Sequence, residues 1–138
     1  MALTSGIGGI ISVDDSSGSA RDISSDVDSL TSDQAQELAV VTGIDKSAQE
    51  RLPLLQDLSF TLNGTANFAS NKSHDVFKVM TGTRTVTWGP IGTTSGYPKL
   101  EAEMVIASRN FTRSSDGQLR FTAVLELQSG SVPTWSTY

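Results

Sequence analysis

Four groups of residues in this chain have types that carry chemistry in other proteins. They are the single histidine His74 beside Asp75, the carboxylates Glu101 and Glu103, the aspartates Asp14, Asp15, Asp22, Asp26 and Asp28, and the glycines Gly6, Gly8 and Gly9. Consecutive helix positions point about 100° apart, so on the helix expected here Asp75 cannot orient the His74 ring as a nucleophilic triad requires. His74 is expected on the helix surface. With one histidine and no cysteine, thiolate catalysis, disulfides and thiolate-bound zinc are excluded, and only an all-carboxylate metal site remains. The five aspartates lack the fixed offsets and the closing glutamate of a calcium loop, so residues 14–29 read as a solvated loop between short edge strands. The three glycines precede a strand instead of joining a strand to a helix, which does not make a phosphate cradle. Glu101 and Glu103, two apart on one strand face, have the spacing of an acid/base pair, but such pairs commonly belong to a solvated face. Together these residues point to no enzyme and no cofactor.

Composition narrows the remaining classes. A chain of 138 residues, 37% of them hydrophobic and 18% charged, is read as one domain and suits a β-rich fold better than a helical bundle. A formal charge of -5 argues against a protein that grips nucleic acid through a basic patch, though not against contact without gripping. The beginning of the chain lacks the basic start and apolar run of a signal peptide, and no window approaches a membrane span. A soluble protein retained in the cell that makes it is the expectation. Asn63-Gly64-Thr65, Asn71-Lys72-Ser73 and Asn110-Phe111-Thr112 match a glycosylation sequon but read more simply as strand, cap and strand.

The elements that must position any site follow from periodicity. Residues 9–13 read as a first strand closed by a turn at Asp14 to Gly18. Residues 31–41 allow a helix capped by Ser32 or a strand, and the β-branched ending Val40-Val41-Thr42 favours the strand. Asp45 to Arg51 reads as a charged loop or one helical turn before Leu52-Pro53, where the proline is expected to break any regular element. Leu58, Phe60 and Leu62 alternate with Ser59, Thr61 and Asn63 in a strand. A helix capped by Ser70 or Asn71 is expected to run to Met80, with Val76, Phe77 and Met80 as its apolar stripe. Thr83 to Trp88 is a further strand with Arg84, Val86 and Trp88 on one side, followed by a loop from Gly89 to Pro98.

Lys99 to Gln128 forms the longest two-faced element, an antiparallel hairpin turning at Ser114-Ser115-Asp116-Gly117. A two-residue or a four-residue loop gives the same facing: Met104, Ile106, Phe121, Leu125 and Leu127 to one side, Glu101, Glu103, Arg120, Thr122 and Glu126 to the other. Residues 129–138 read as a polar tail tipped by aromatics, flexible unless a partner orders it.

The run Val41-Thr42-Gly43-Ile44-Asp45-Lys46-Ser47-Ala48-Gln49-Glu50-Arg51-Leu52-Pro53-Leu54-Leu55-Gln56-Asp57-Leu58-Ser59-Phe60 resembles the tail tube (major tail) proteins of long-tailed bacteriophages. It has a strand ending in Val-Thr-Gly, a charged stretch with arginine, Leu-Pro, an acidic turn and an alternating strand. Asn67 to Phe77, Thr83 to Val86, Phe111-Thr112-Arg113 before Asp116-Gly117, and the ending Gly130 to Trp135 follow in the same order, so the resemblance spans about residues 9–136. It implies a mainly β fold, an antiparallel β-sandwich or barrel with one flanking α-helix. It further implies hexameric rings stacked into a virion tail tube through which DNA passes, made in the host bacterial cytoplasm.

By the same resemblance, Glu101, Glu103, Arg120, Thr122 and Glu126 are candidates to line the bore, with Arg120 partly offsetting the acids. Thr42, Gly43, Asp45, Lys46, Glu50, Arg51 and Pro53 belong to a candidate inter-subunit loop. An N-terminal arm, residues 1–8, and a tail containing Pro133, Trp135 and Tyr138 are candidates for docking one ring on the next. The implied partners are further copies of the chain, the tape measure and tail terminator proteins, and DNA that is not specifically bound; no cofactor and no membrane are implied. A different class, a baseplate or adhesin-type binding module, would use the aromatics of the Trp88 to Tyr97 loop with Trp135 and Tyr138.

Overall fold

The computed structural model describes residues 5–138, so residues 1–4, half of the expected 1–8 N-terminal arm, lie outside the described residues. Eight strands and one short helix follow in the order β1 (Ile10–Asp14), β2 (Ala20–Asp22), β3 (Val27–Val40), β4 (Arg51–Thr65), α1 (Ser73–Phe77), β5 (Arg84–Gly89), β6 (Pro98–Arg113), β7 (Leu119–Leu127) and β8 (Trp135–Thr137). Every pairing is antiparallel, in the order β2-β1-β5-β6-β7-β4-β3, and β8 pairs with the start of β6. The sheet curls onto itself. Phe60 of β4 meets Trp88 of β5 edge to face, ring centres 5.8 Å apart, although β6 and β7 separate the two strands along the sheet. The result is the mainly β, antiparallel sandwich with one flanking helix that the sequence implied.

One face of the curled sheet makes the core. Ile11 and Val13, Leu58, Phe60 and Leu62, Val86, Leu100, Ala102, Met104 and Ile106, and Phe121, Ala123 and Leu125 are buried in a single cluster, every second residue of their strands. Val76 and Phe77 of α1 close it from the side. Residues 31–40 are strand, within β3, and Val41 begins the turn that follows. Arg84 and Val86 share the core face as expected, and Arg84 is 1% exposed.

Five expectations are corrected. The helix is only Ser73–Phe77, and Met80 is exposed and off its stripe. Neither Ser70 nor Asn71 caps it: Asn71 adopts a left-handed conformation and Lys72, at the N-cap, makes no capping bond. The cap comes from Asp26, distant in sequence, whose carboxylate accepts bonds from Ser73 N (3.1 Å) and Asn67 Nδ2 (2.9 Å). Residues 14–29 are accordingly more than a solvated loop, since they include β2, fully buried Ile23 and buried Asp26. Pro53 does not break the chain. It lies inside β4 opposite Leu38, beside a register shift between Gln36 and Leu38, and strand prolines are tolerated at such bulges. The 129–138 segment is not a loose tail, because β8 pairs with Pro98, Lys99 and Leu100.

The hairpin kept its facing by two compensating departures. Ser114 N bonds Gln118 O and Gly117 N bonds Ser114 O, with Gly117 at φ 91°, so the loop has three residues and not two or four. An odd loop alone would invert one arm. A bulge between Ile106 and Ser108 adds one residue to β6 and restores the facing over the core.

Candidate functional site

Three surfaces carry the exposed features that the fold itself does not consume. The first is the sheet face turned away from the core. Glu101 and Glu103 stand there on β6, and Arg120, Thr122 and Glu126 on β7, as expected from alternation. Cross-strand neighbours on the same face are small and polar: Thr85 and Thr87 oppose Glu103 and Glu101, and Asn63 opposes Thr122. Thr85 Oγ1 donates to Glu103 and Thr87 Oγ1 to Glu101 (3.4 Å), while Thr122 Oγ1 donates to Asn63 Oδ1 (2.7 Å). Hydroxyl and amide side chains are thus tied across the strands, two of them to the carboxylates of Glu101 and Glu103. Arg120 pairs with Asp28 at the start of β3, two strands away, so the one arginine that opposed an acidic reading of this face is neutralised. Lys99 at one end of the face lies over the Tyr138 ring, 5.2 Å from its centre. Burial, then the nearby Glu101 and Asp22 charges, push the Tyr138 phenol above its ordinary range.

The second surface is an arm. Beyond Leu58, β4 loses its pairing with β7 and continues with β3 alone to the turn at residues 41–50. Thr42 and Glu50 close the tip, Glu50 N donating to Thr42 Oγ1 (2.9 Å) and Val41 N to Glu50 O (3.0 Å). Lys46 and Glu50 form an ion pair at 3.3 Å, and Arg51 donates to Gln49 Oε1 at 2.7 Å. The predicted loop residues Thr42, Gly43, Asp45, Lys46, Glu50, Arg51 and Pro53 are therefore together, at the end of this arm. Sequence reasoning missed what flanks them. Leu38, Val40, Val41, Leu52, Leu54 and Leu55 are 46% to 78% exposed, and Ile44 at the tip is wholly exposed. Leu38 pairs with Pro53 and Ala39 with Leu52, so apolar groups lie on both faces of a two-stranded ribbon. Such a ribbon is marginal in water without a cover. The apolar runs on either side of residues 42–50 were the signal for it.

The third comprises the end aromatics. Trp135 packs at a tilt against Trp88, ring centres 5.7 Å apart, and donates from Nε1 to Gln34 Oε1 (3.4 Å), joining β8 to the root of the arm. Tyr138 exchanges backbone bonds with the Tyr97 loop, Tyr138 N to Tyr97 O and Gly96 N to Tyr138 O, both 3.0 Å. Trp135 and Tyr138 thus secure the end of the chain to the body, and Trp135 still leaves 47% of its surface open. Pro133 lines a small groove with Glu101, Glu103 and Ser129 to Thr134. Residues 5–8, the described part of the N-terminal arm, turn beside Pro90, where Ile10, Ile11, Val27, Leu30 and Trp88 help line an open cavity of about 370 Å³ at the seam between β1 and β3.

His74 is not a plain helix-surface residue. Its ring packs 4.6 Å from Phe68 and 6.3 Å from Phe111. Among the described residues no group of three or more histidine, aspartate or glutamate side chains has metal-holding geometry, and no helix is long and apolar enough to cross a membrane.

The fold, with its curled sheet, projecting arm and single helix, matches several solved assemblies. A chain in the virion of a native gene transfer agent particle superposes with TM-score 0.70 at 14% identity, covering 98% of this chain and 100% of that one. The SPP1 tail tube gives 0.72 at 10% identity over 99% of this chain and 80% of that one. A chain of the anti-feeding prophage baseplate, solved with six-fold symmetry imposed, gives 0.70 at 12% identity over 99% and 96%. This chain has the tail-tube fold. No protein-family model and no curated protein sequence matches it.

Proposed function

We propose that this chain is the structural subunit of a bacteriophage-type tail tube, residues 1–138 forming one tube domain that assembles into stacked hexameric rings. The observation that carries the proposal is the arm: a two-stranded ribbon with exposed leucines and valines on both faces is completed only by another surface. Second copies supply that surface and also cover the long free edge of β3, which would otherwise template uncontrolled pairing. The tail-tube fold supports the same reading.

In this tube the Glu101, Glu103 and Glu126 face lines the bore. Its carboxylates repel phosphate, Arg120 is paired with Asp28 and Lys99 lies over the Tyr138 ring, so DNA passes without sticking on its way from capsid to host. Virion tail placement, synthesis in the host cytoplasm, and contact with tape measure and terminator proteins follow from this role. The arm with Thr42, Gly43, Asp45, Lys46, Glu50, Arg51 and Pro53 contacts neighbouring copies, and the surface around residues 5–8, Pro133, Trp135 and Tyr138 meets the adjoining ring. The binding-module alternative is weaker, because Trp88 and Trp135 are already engaged with each other and with Phe60 and Gln34.

Purified protein concentrated at neutral pH and viewed by negative stain tests the proposal. Rings or hollow tubes are expected. Persistent monomers that retain a surface glycan or receptor would replace the tube reading with the binding-module one.

A further inference from the structure

The end of the molecule opposite the arm carries a group whose polar atoms are unsatisfied. Beyond the β6 bulge the core-side positions pass to Arg109 and Phe111, which extend past the buried core toward the 114–118 turn. There Phe68, 58% exposed, and Phe111, 41% exposed, stack at 6.2 Å with the His74 ring against both. The Arg109 guanidinium lies 4.7 Å from the Phe111 ring centre. Its Nε and Nη1, and Nδ1 of His74, are shut away from solvent with no hydrogen-bond partner among the described residues. Arg109 also belongs to none of the four ion pairs among the described residues.

A guanidinium with two enclosed, unbonded nitrogens and no counter-charge is costly, and a carboxylate brought beside it offsets that cost. Two stacked aromatics beside it offer an apolar seat. The matching ligand is a segment with one projecting apolar side chain next to an unpaired carboxylate. The arm tip has that composition: Ile44 is fully exposed, and the neighbouring Asp45 makes no ion pair among the described residues, whereas Glu50 is taken by Lys46. The tip cannot reach the shelf of its own molecule. The 15-residue β4 runs from the tip at Arg51 to Thr65 beside Arg120 at the shelf end, a span of about 46 Å.

We propose that the Phe68, His74, Arg109 and Phe111 shelf receives the Ile44-Asp45 arm tip of a second copy. This inference rests on the self-assembling reading and names the receptor for its arm. Tip and shelf are different surfaces at opposite ends, so the contact is head to tail; repeated, it closes a ring where the rotation closes and otherwise carries growth from one ring to the next.

The absence of cysteine makes the test direct. A double variant Ile44→Cys and Phe68→Cys is assembled, oxidised with oxidised glutathione and run on a denaturing gel without reductant. A ladder of covalent multimers is expected from the double variant, and monomers from each single variant. Tubes or rings visible by microscopy without a ladder overturn the shelf as receptor while leaving the tube reading standing. Dimers from Ile44→Cys alone overturn it in favour of tip-to-tip contact. Failure of the wild-type chain to assemble at any concentration overturns both readings. In parallel, Arg109→Glu is expected to raise the concentration needed for assembly about thirtyfold, with Asp45→Arg in the same chain recovering tenfold or more. No recovery from the charge exchange contradicts the pairing of Asp45 with Arg109.

Discussion

Polar replacement of the arm's apolar residues separates assembly from folding. In the monomer Leu38, Val40, Leu52 and Leu54 are 54%, 60%, 50% and 46% exposed, so roughly half of each side chain still faces water. Full burial of such a side chain is worth about 1.5–3 kcal/mol, which leaves about 1 kcal/mol each to be gained when a second copy covers them. Replacing all four by serine therefore removes about 4 kcal/mol from each subunit's contacts. At 1.4 kcal/mol per factor of ten, the concentration at which polymer first appears should rise roughly a thousandfold. The monomer should melt within a few degrees of wild type, because its core contains none of these residues. Sedimentation velocity across a dilution series reads the assembly, and thermal unfolding of the monomeric fraction reads the fold. The reasoning is refuted if assembly is unchanged, or if the monomer itself unfolds because the arm's apolar groups were stabilising it.

Other substitutions probe the body and the bore. Arg84 donates to the carbonyls of Asp14 (3.0 Å), Val76 (2.8 Å) and Val79, binding β1 to the end of α1, so Arg84→Met should cost about 3–5 kcal/mol, read by urea titration; a loss under 1 kcal/mol would mean the carbonyls find other donors. A Cβ on Gly64 would sit 2.0 Å from Asp26 O, which accepts a bond from Thr65 N, so Gly64→Ala should displace the Asp26 segment and release α1, with a lower melting temperature and loss of helical signal; an unchanged melt would contradict it. Ser17 and Arg21 bonds hold the Asp15 carboxyl well below the carboxylate range, while the Asn71 N–H and then Lys78 lower that of Asp75, and Ser114 and then Gln118 lower that of Asp116. Their folded pKa values are depressed, so the stability they add is complete above about pH 4 and is lost as pH falls below it; an Asp15→Asn, Asp75→Asn, Asp116→Asn variant should lose less stability between pH 6 and pH 3 than wild type, and an equal loss would refute the assignment. Glu101→Lys with Glu103→Lys should leave ring formation intact and make tubes retain DNA in a salt-dependent way, whereas failure to form rings would put these residues in an interface.

Much of this was legible because alternation is a local property. The facing of Leu58 to Asn63, of Arg84, Val86 and Trp88, and of the two hairpin strands follows from period two, and the structure keeps all of it. The departures are non-local. The three-residue turn at Ser115 to Gly117 and the bulge at Ala107 are each invisible in residue types, and the facing over the core was preserved only because they cancel. Pro53 was expected to end a strand because its missing N–H is a local fact. That its strand carries a bulge there, with β3 as its only partner, is a tertiary one. The α1 cap was sought among neighbouring Ser and Asn, and is supplied by Asp26 through folding of the whole chain. The loose tail became β8 for the same reason, since Trp135 meets Trp88 and Gln34 only in the assembled sheet. The arm was half seen: its polar tip stood out through resemblance, while the flanking leucines and valines were read only as strand and break residues until the structure left them uncovered.

The most direct test of the tube reading is electron cryomicroscopy of the purified chain, concentrated without other tail proteins. The account expects hollow tubes of stacked six-subunit rings, with Glu101, Glu103 and Glu126 facing the bore and the residue 38–55 arms buried between copies. Dispersed monomers with exposed arms, or an assembly whose bore is lined by another face of the sheet, would contradict it.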